Sequence, residues 1–287
     1  MAVAITTNVW AERRGRVAEL RIRQGFVRQL LDFYGALLNV QEKAAADAKS
    51  ASPAPPDIPA FIAEVVAPGV IDVSVATGPE RLRSELIHRL QAEHPRNMVE
   101  RWINGVEQPM VDRFFARACL EPVLEALETP ARAACLGVRD ARHCPECEGP
   151  PQLSYFAPAK EDLAAGPRML LCARCASTWT YPRMTCAGCG ESSTAKLPIF
   201  SEHGTTSGER GSVVRGVPGT TPPVRHPAVF PHMRIDACET CKRYLLNIDL
   251  ATEPRAVPVV DEMAAIPLDL YARERGFTKI TTNLMGF

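Results

Sequence analysis

Eight cysteines in the second half of the chain have the residue type and spacing of metal ligands. They form four C-x-x-C pairs: Cys144 with Cys147, Cys172 with Cys175, Cys186 with Cys189, and Cys238 with Cys241. On a tight turn, one such pair, here called a knuckle, can bind an ion through two thiolates while turn amides point at the sulfurs. Two knuckles make a tetrahedral site of four sulfurs, which suits zinc or a single iron. The sequence therefore predicts two metal ions, iron or zinc, in two four-cysteine sites.

The four knuckles can combine in two ways. Sequential pairing joins the first knuckle with the second and the third with the fourth. A cross-braced arrangement joins the first with the third and the second with the fourth. Shorter loops close at a lower entropic cost, which favours sequential pairing. We favour a structural role for both ions, because a loop-rich segment with few large apolar side chains needs internal cross-links; a redox role is the alternative.

The other cysteines and the histidines have simpler interpretations. Cys119 and Cys135 lie in helical sequence among apolar neighbours and are expected to be core thiols. His143 precedes the first knuckle and could contact its thiolates, although an exposed position is the expectation. His226 and His232 fall in a polar loop. Because the sequence contains no H-E-x-x-H pattern, phosphate-binding loop, nucleophile elbow or paired-carboxylate motif, we do not predict an enzyme.

The composition is that of a folded and electrically neutral chain. Its 287 residues are 46% hydrophobic and 23% charged, with 33 basic and 33 acidic residues. Such a chain is too apolar for a disordered protein and lacks the basic excess of a general nucleic-acid or membrane-surface binder. Residues 141–250 hold 12 basic and 10 acidic residues, and two divalent ions bound by thiolates would make this segment slightly acidic. We therefore expect no nucleic-acid partner.

The cysteine pattern and the first residues predict a cytoplasmic protein. Disulfide frameworks of secreted domains rarely place their half-cystines in C-x-x-C pairs. Met1–Val9 contains no Lys or Arg, unlike the start of a secretory signal. The most apolar stretch, Ile58–Val75, is interrupted by Glu64 and Asp72, so no membrane span and no membrane partner are predicted.

Helical sequence occupies the N-terminal half. Apolar residues recur every three or four positions in the first stretch, and a Pro-rich segment, Pro53–Pro59, then prevents a continuous helix. A core contribution is expected from Phe114, Phe115, Ala118 and Leu124. The predicted helical segments are Val9–Lys49, divided at Gly25, a helix from about Gly78 to His94, and the segments 96–121 and 122–135.

Short strands and turns follow. The predicted strands flank the knuckles and are Gln152–Phe156, Arg168–Leu171 and Ser177–Tyr181. Residues 201–232 are polar and rich in Gly and Pro, which predicts a long surface loop. Residues 260–275 are again helical, with a kink at Pro267 and an end at Gly276.

These elements predict an α+β fold with four parts. An N-terminal all-helical domain (1–140) precedes a first rubredoxin-like, or zinc-ribbon-like, metal-binding module (141–182). A second such module (183–250) carries the long loop at 201–232, and a C-terminal helical tail (251–287) ends the chain.

Motifs in a fixed order run along most of the chain. The knuckles and their flanks are Cys144-Pro-Glu-Cys147, Leu-Leu-Cys172-Ala-Arg-Cys175-Ala-Ser-Thr-Trp179, Arg183-Met-Thr-Cys186-Ala-Gly-Cys189-Gly-Glu191 and Asp236-Ala-Cys238-Glu-Thr-Cys241-Lys-Arg-Tyr244-Leu. The tail contains Val260-Asp261-Glu262, Pro267-Leu-Asp-Leu-Tyr271, Glu274-Arg-Gly276-Phe277 and Asn283, and an Arg-rich helix precedes Leu31-Asp-Phe-Tyr-Gly-Ala-Leu-Leu-Asn-Val-Gln41. These motifs and their order resemble the FdhE family of formate dehydrogenase accessory proteins.

The resemblance implies a cytoplasmic, non-enzymatic protein that binds the molybdenum-containing catalytic subunit of formate dehydrogenase during its maturation. It also implies that the eight knuckle cysteines are metal ligands in two rubredoxin-like modules.

Two features of the sequence depart from the family pattern. Such knuckles favour Gly directly after the second Cys, where the backbone is left-handed, but only Cys189 is followed by Gly. The loop between the third and fourth knuckles is also longer than usual.

Two other functions stay open from the sequence. A zinc-ribbon protein could bind nucleic acid, although the neutral charge argues against this function. A rubredoxin-like electron carrier would hold iron and be red, whereas a zinc protein would be colourless. A homo-oligomer is also compatible with the sequence.

Overall fold

The structure is a computed structural model, and it describes residues 8–127, 137–158, 166–202, 205–206, 225–226 and 228–287. Within these ranges, a helical region comes first, a seven-stranded sheet follows, and two helices lie near the end. The predicted α+β fold is therefore confirmed. The boundaries of the four predicted parts stay predictions, and most of the loop predicted at 201–232 lies outside the described residues.

Two long helices begin the described chain. The first, α1 (Val9–Arg23), starts where the side-chain oxygen of Asn8 accepts a hydrogen bond of 3.0 Å from the Trp10 N–H, a donor without a partner inside the helix. A 3-10 turn at Gly25–Val27 separates α1 from α2 (Arg28–Ala51). The predicted division at Gly25 is therefore confirmed. The buried face of α2 includes Leu31, Tyr34, Leu37 and Leu38.

Helix α2 ends at Ala51 and residues 52–54 are not helical, so the prediction that the Pro-rich segment prevents a continuous helix is confirmed. Helix α3 (Ile58–Phe61) continues through a π-helical turn (Ile62–Val66) into α4 (Ala67–Thr77). By length and composition alone, Pro55–Thr77 is apolar enough to cross a membrane, so the prediction that Glu64 and Asp72 exclude such a segment is wrong on that criterion. One such helix is weak evidence of a membrane span, because a buried core helix can have the same length and apolar composition. The side chains at Ile58, Ile62, Val66 and Val70 are buried in the core.

Three helices complete the N-terminal region: α5 (Glu80–Ala92), α6 (Pro95–Ile103) and α7 (Met110–Ala126). The helix predicted to end at His94 is confirmed. The segment predicted as one helix over 96–121 is interrupted between α6 and α7, where Gly105 has a φ of +68° and Pro109 precedes the new helix. The predicted core residues in α7 are all buried: Phe114, Phe115, Ala118 and Leu124.

The predicted boundary between residues 121 and 122 is wrong, because α7 continues through Pro122. Proline has no N–H, so the carbonyl of Ala118, four residues earlier, loses its helical partner. The side chain of Gln41 in α2 donates to that carbonyl from Nε2 at 3.1 Å. The neighbouring helix therefore supplies the missing bond. The remainder of the helix predicted to 135 lies outside the described residues.

One sheet contains strands from both knuckle-bearing segments. The strands are β1 (Pro151–Phe156), β2 (Arg168–Cys172), β3 (Thr178–Thr180), β4 (Ile199–Ser201), β7 (Met233–Cys238), β8 (Arg243–Asp249) and β9 (Thr278–Lys279), while β5 (Thr205–Thr206) and β6 (Arg225–His226) form a separate pair. The three predicted strands are confirmed as β1 to β3. The order in the sheet is β3-β2-β1-β8-β7-β4, with β9 beside β8. Strands β1 and β8 pair in parallel, with Ser154 opposite Asn247, and this pairing joins the two knuckle-bearing segments.

The tail joins the sheet to the N-terminal helices. Helices α8 (Pro258–Ala264) and α9 (Ile266–Glu274) adjoin at Ala265, and Gly276 follows with a φ of +79°. The helical tail, its break next to Pro267 and its end at Gly276 are therefore confirmed. In α8, the buried carboxylate of Asp261 accepts hydrogen bonds of 2.9 and 3.1 Å from Nε of Arg16 in α1. The first and the penultimate helices thus share a buried ion pair.

A second buried ionic cluster lies between the tail and the sheet. Lys279 Nζ is 2.7 Å from a Glu262 carboxylate oxygen and 3.1 Å from one of Asp269, and the Tyr244 hydroxyl donates to Asp269 at 2.8 Å. Burial raises the pKa of Glu262, although Lys279 opposes this shift. Three of the acidic residues that carry the family resemblance in the tail, Asp261, Glu262 and Asp269, therefore lie inside the protein as structural partners.

Candidate metal centres

The first and second knuckles meet in a buried group of four sulfurs. Cys144 Sγ is 3.7 Å from Cys175 Sγ, and Cys147 Sγ is 3.4 Å from Cys172 Sγ. All four sulfurs of this first four-cysteine group lie within 4.8 Å of one another. The group could therefore hold one metal ion.

The third and fourth knuckles form an equivalent second four-cysteine group. Cys186 Sγ is 3.7 Å from Cys241 Sγ, and Cys189 Sγ is 3.7 Å from Cys238 Sγ. This group is closer to solvent, because Cys189 is exposed and Cys241 is only partly buried. The structure thus groups the knuckles in sequence, and the two predicted four-cysteine groups are present.

The spacing of the sulfurs suits a metal ion rather than disulfides. Tetrahedral coordination with metal–sulfur bonds of about 2.3 Å places neighbouring sulfurs about 3.8 Å apart, whereas a disulfide needs about 2.05 Å. Backbone N–H groups also face the sulfurs: Arg174 N lies 3.3 Å from Cys172 Sγ, and Gly188 N lies 3.3 Å from Cys186 Sγ. Burial raises the pKa of the Cys172 thiol, so its thiolate needs the positive charge of an ion.

Short hydrogen-bonded turns place the two cysteines of the first and third knuckles. In the first, the Cys144 N–H donates to the Gly149 carbonyl at 2.9 Å, and the Glu148 N–H donates to the Cys144 carbonyl at 2.9 Å. The third knuckle repeats both bonds around Cys186. These turns fix the direction of the sulfurs before an ion binds.

All four knuckles keep a left-handed residue after the second cysteine. The φ angles are 58° at Glu148, 56° at Ala176, 82° at Gly190 and 55° at Lys242. Glycine adopts this conformation without steric cost, whereas other residues are strained there. The three knuckles without glycine at this position therefore have the same left-handed backbone as the knuckle with Gly190.

Three arginines bind the carbonyl groups of the knuckle loops. The buried Arg174 donates to the Cys147 carbonyl at 3.4 Å, Arg142 to that of Gly188 at 3.0 Å, and Arg168 to that of Thr185 at 2.9 Å. They also bring positive charge near thiolates. Proximity to a knuckle is the only signal in the sequence for these three arginines.

The other candidate residues have structural positions. Cys119 is fully buried, as predicted, and burial raises the pKa of its thiol. His143 is half-buried and its Nδ1 lies 2.7 Å from an Asp140 oxygen, instead of being exposed. His232 is buried, not in an open loop, and lies 3.1 Å from Asp261. Cys135 and the side chain of His226 lie outside what the structure describes.

Comparison with known proteins identifies the family resemblance. Residues 225–285, which include the fourth knuckle and the tail, match the family model of the FdhE C-terminal domain. The predicted resemblance to the FdhE family is confirmed. A Protein FdhE homolog from Aquifex aeolicus is 26% identical over 210 residues, covering 71% of this chain and 62% of that protein. Another from Pseudomonas aeruginosa is 25% identical over 142 residues, covering 50% of this chain and 38% of that protein.

The chain thus aligns with 38% to 62% of the length of these two relatives. The crystal structure of the FdhE protein from Pseudomonas aeruginosa matches with a TM-score of 0.61 and 20% sequence identity, covering 96% of this chain and 95% of that one. At this identity, the similarity shows that the fold is shared with an FdhE protein.

Proposed function

We propose that this chain is a non-catalytic accessory protein that binds the catalytic subunit of formate dehydrogenase in the cytoplasm during maturation. The observation that carries the proposal is the order of four knuckles and tail motifs that resembles the FdhE family. The match of residues 225–285 to the FdhE C-terminal domain supports it. Asp261, Glu262 and Asp269 of the tail motifs form buried ion pairs, which is a structural role.

We further propose that the eight knuckle cysteines ligate two metal ions with a structural role. Cys144, Cys147, Cys172 and Cys175 would hold one ion, and Cys186, Cys189, Cys238 and Cys241 the other. Each ion would cross-link two knuckle loops that are far apart in the sequence or separated by strands. The ions would therefore fix the surfaces that a partner protein meets.

Affinity capture tests the proposed partner. The tagged chain, purified without oxygen, is expected to retain the catalytic subunit of formate dehydrogenase and to release an unrelated molybdenum enzyme, which serves as the control. A strain without the gene is expected to lose formate dehydrogenase activity and to regain it with the wild-type chain. No capture, together with normal activity in that strain, would contradict the proposal.

Metal analysis separates this function from electron transfer. A colourless protein with two zinc ions supports the structural role, whereas a red protein with reversible thiolate-to-iron absorption supports an electron carrier. A gel-shift assay over a range of salt concentrations tests nucleic-acid binding. We expect no shift, and a strongly salt-dependent shift would favour that alternative.

A further inference from the structure

Two apolar grooves meet at one exposed aromatic side chain. The terminal groove, about 450 Å³, is lined by residues that include Phe26, Leu82, Met110, Phe114, Leu284 and Phe287. The aromatic groove, about 500 Å³, includes Phe26, Phe200, Phe230, Leu268 and Tyr271. Phe26 belongs to both grooves and is 60% exposed. The two grooves therefore form one continuous apolar surface across the helices, the sheet and the tail.

The exposure of this surface is unusual for side chains of this kind. Met110 is 57% exposed, Val229 50% and Tyr271 37%, and the ring of Phe26 contacts Phe230 edge-on at 6.4 Å. Contiguous exposed apolar residues of this size mark sites of interaction with other proteins. Tyrosine, arginine and other large side chains are also the residues that dominate the binding energy of protein interfaces.

Each groove has at its rim an arginine that forms no ion pair with any residue that the structure describes. The Arg275 guanidinium stacks on Tyr271 at 3.4 Å from the ring centroid. Arg273 lies 5.8 Å from the ring centroid of Phe287 and donates a hydrogen bond of 3.3 Å to the Gly286 carbonyl. Each rim therefore carries one guanidinium charge that is not paired with a carboxylate of the described residues.

The carboxylates that line the grooves are already engaged. Glu85 in the terminal groove pairs with Arg81 at 2.7 Å. Glu202 in the aromatic groove accepts hydrogen bonds of 2.9 Å from the N–H groups of Val229 and Phe230. The positive charges at Arg273 and Arg275 are thus left for a ligand, and an apolar floor with a cationic rim complements an acidic amphipathic segment.

We propose that the two grooves dock an amphipathic segment of a partner protein, which buries apolar side chains against Phe26 and places carboxylates beside Arg273 and Arg275. The proposal rests on the proposed function in one respect, namely that the partner is the catalytic subunit of formate dehydrogenase. The chemistry of the surface itself does not depend on the partner's name. Stacking on Tyr271 holds Arg275 in place, which lowers the entropy lost when a carboxylate binds.

The test uses the full metal-loaded chain and a designed helical peptide with Leu on one face and Glu on the other. Binding is measured by fluorescence anisotropy of the labelled peptide. Phe26→Ala and Arg275→Glu are each expected to weaken binding by about tenfold or more. The matched controls are Ile87→Ala on α5, where Ile87 is 46% exposed outside both grooves, and Arg96→Glu, which changes the net charge by the same amount. Both controls are expected to bind as the wild type does.

A second experiment measures capture of the catalytic subunit of formate dehydrogenase by the wild type and by the same four variants. If the wild type captures the subunit and Phe26→Ala and Arg275→Glu capture it equally well, the docking proposal is overturned while the proposed function stands. If the wild type captures nothing, the proposed function fails. The peptide measurement then still tests whether the two grooves bind an acidic amphipathic segment. Absence of peptide binding, or equal binding of a peptide with Lys in place of Glu, overturns the proposal. Conversion of a dimer to a monomer by Phe26→Ala in light scattering would assign the surface to a second copy instead.

Discussion

The side-chain amide of Gln41 replaces the backbone N–H that Pro122 lacks. Its Nε2 donates at 3.1 Å to the carbonyl of Ala118, the acceptor that a residue with an N–H at position 122 would have used. Gln41 is only 4% exposed, so water cannot take over this role. The integrity of α7 therefore depends on a side chain from α2.

We expect Gln41→Met to lower the free energy of unfolding by about 1 to 3 kcal/mol. Methionine has a similar volume but leaves the buried Ala118 carbonyl without a donor. Urea unfolding of the metal-loaded protein measures the loss. The Pro122→Ala background supplies the control, because alanine restores the helical N–H. The cost of Gln41→Met should be smaller there, and an equal cost in both backgrounds would contradict the proposed link between the two residues.

Replacement of a single knuckle cysteine is expected to remove one metal ion. Cys172→Ala in the first group, or Cys189→Ala in the second, leaves three sulfurs, which hold an ion more weakly than four. Elemental analysis should then find one equivalent per chain instead of two. Cys119→Ala is the matched control, since Cys119 is buried but lies outside both groups. A Cys119→Ala protein that lost metal, or knuckle variants that kept both ions, would count against the assignment.

A glycine after the second knuckle is expected to stabilise the fold. Ala176 has a φ of 56°, and this left-handed conformation costs a residue with a Cβ about 1 kcal/mol more than glycine. Ala176→Gly should therefore raise the free energy of unfolding by up to about 1 kcal/mol, after the entropy cost of glycine is subtracted. The converse change, Gly190→Ala, should lower it by a similar amount. Opposite signs in denaturant titrations would show that the knuckle backbone differs from the one described.

The ion pair between Arg16 and Asp261 predicts a specific pH dependence. Burial alone would raise the pKa of the Asp261 carboxyl, but hydrogen bonds from His232 and Arg16 outweigh it and hold that pKa below its ordinary value. A carboxyl with a lowered pKa stabilises the fold above its unfolded-state value, about 3.9, and this contribution is lost as the pH falls through the folded-state pKa. Asp261→Asn should therefore destabilise the protein by about 3 kcal/mol at neutral pH.

Below about pH 4, the difference in stability between Asp261→Asn and the wild type should become smaller. Thermal unfolding at several pH values measures this trend. Asp47→Asn is the control, because Asp47 pairs with Lys43 at 2.6 Å on the surface, where Lys43 is 74% exposed, and such pairs contribute little. A difference for Asp261→Asn that stayed constant from pH 7 to the acid limit would contradict the interpretation.

The sequence predicts those parts of the molecule that depend on local pattern. The four knuckles, the division at Gly25 and the strands beside the first two knuckles follow from spacing and turn residues. The parallel pairing of β1 with β8 does not, because Ser154 and Asn247 meet across 93 residues and no short motif encodes that contact. The boundary predicted between residues 121 and 122 is wrong for the same reason, since the side chain that compensates for Pro122, Gln41, comes from another helix.

The buried ion pairs could not be predicted from the sequence either. A lysine such as Lys279 is expected at the surface, and only the fold brings it into contact with Glu262 and Asp269. Burial of a charge is costly without such partners. A local pattern contains the side chains of one element, whereas this cluster takes its members from two helices and a strand.

The pairing of Arg16 with Asp261 also bears on synthesis of the chain. The ribosome delivers α1 well before α8, since Asp261 follows Arg16 by 245 residues, which takes about 12 to 50 s at ordinary rates of translation. During that time the Arg16 guanidinium has only Glu19 of its own helix as a carboxylate partner. A chain that is released before Asp261 is made therefore lacks the buried ion pair that joins α1 to α8, and only a chain extended beyond this residue can form it.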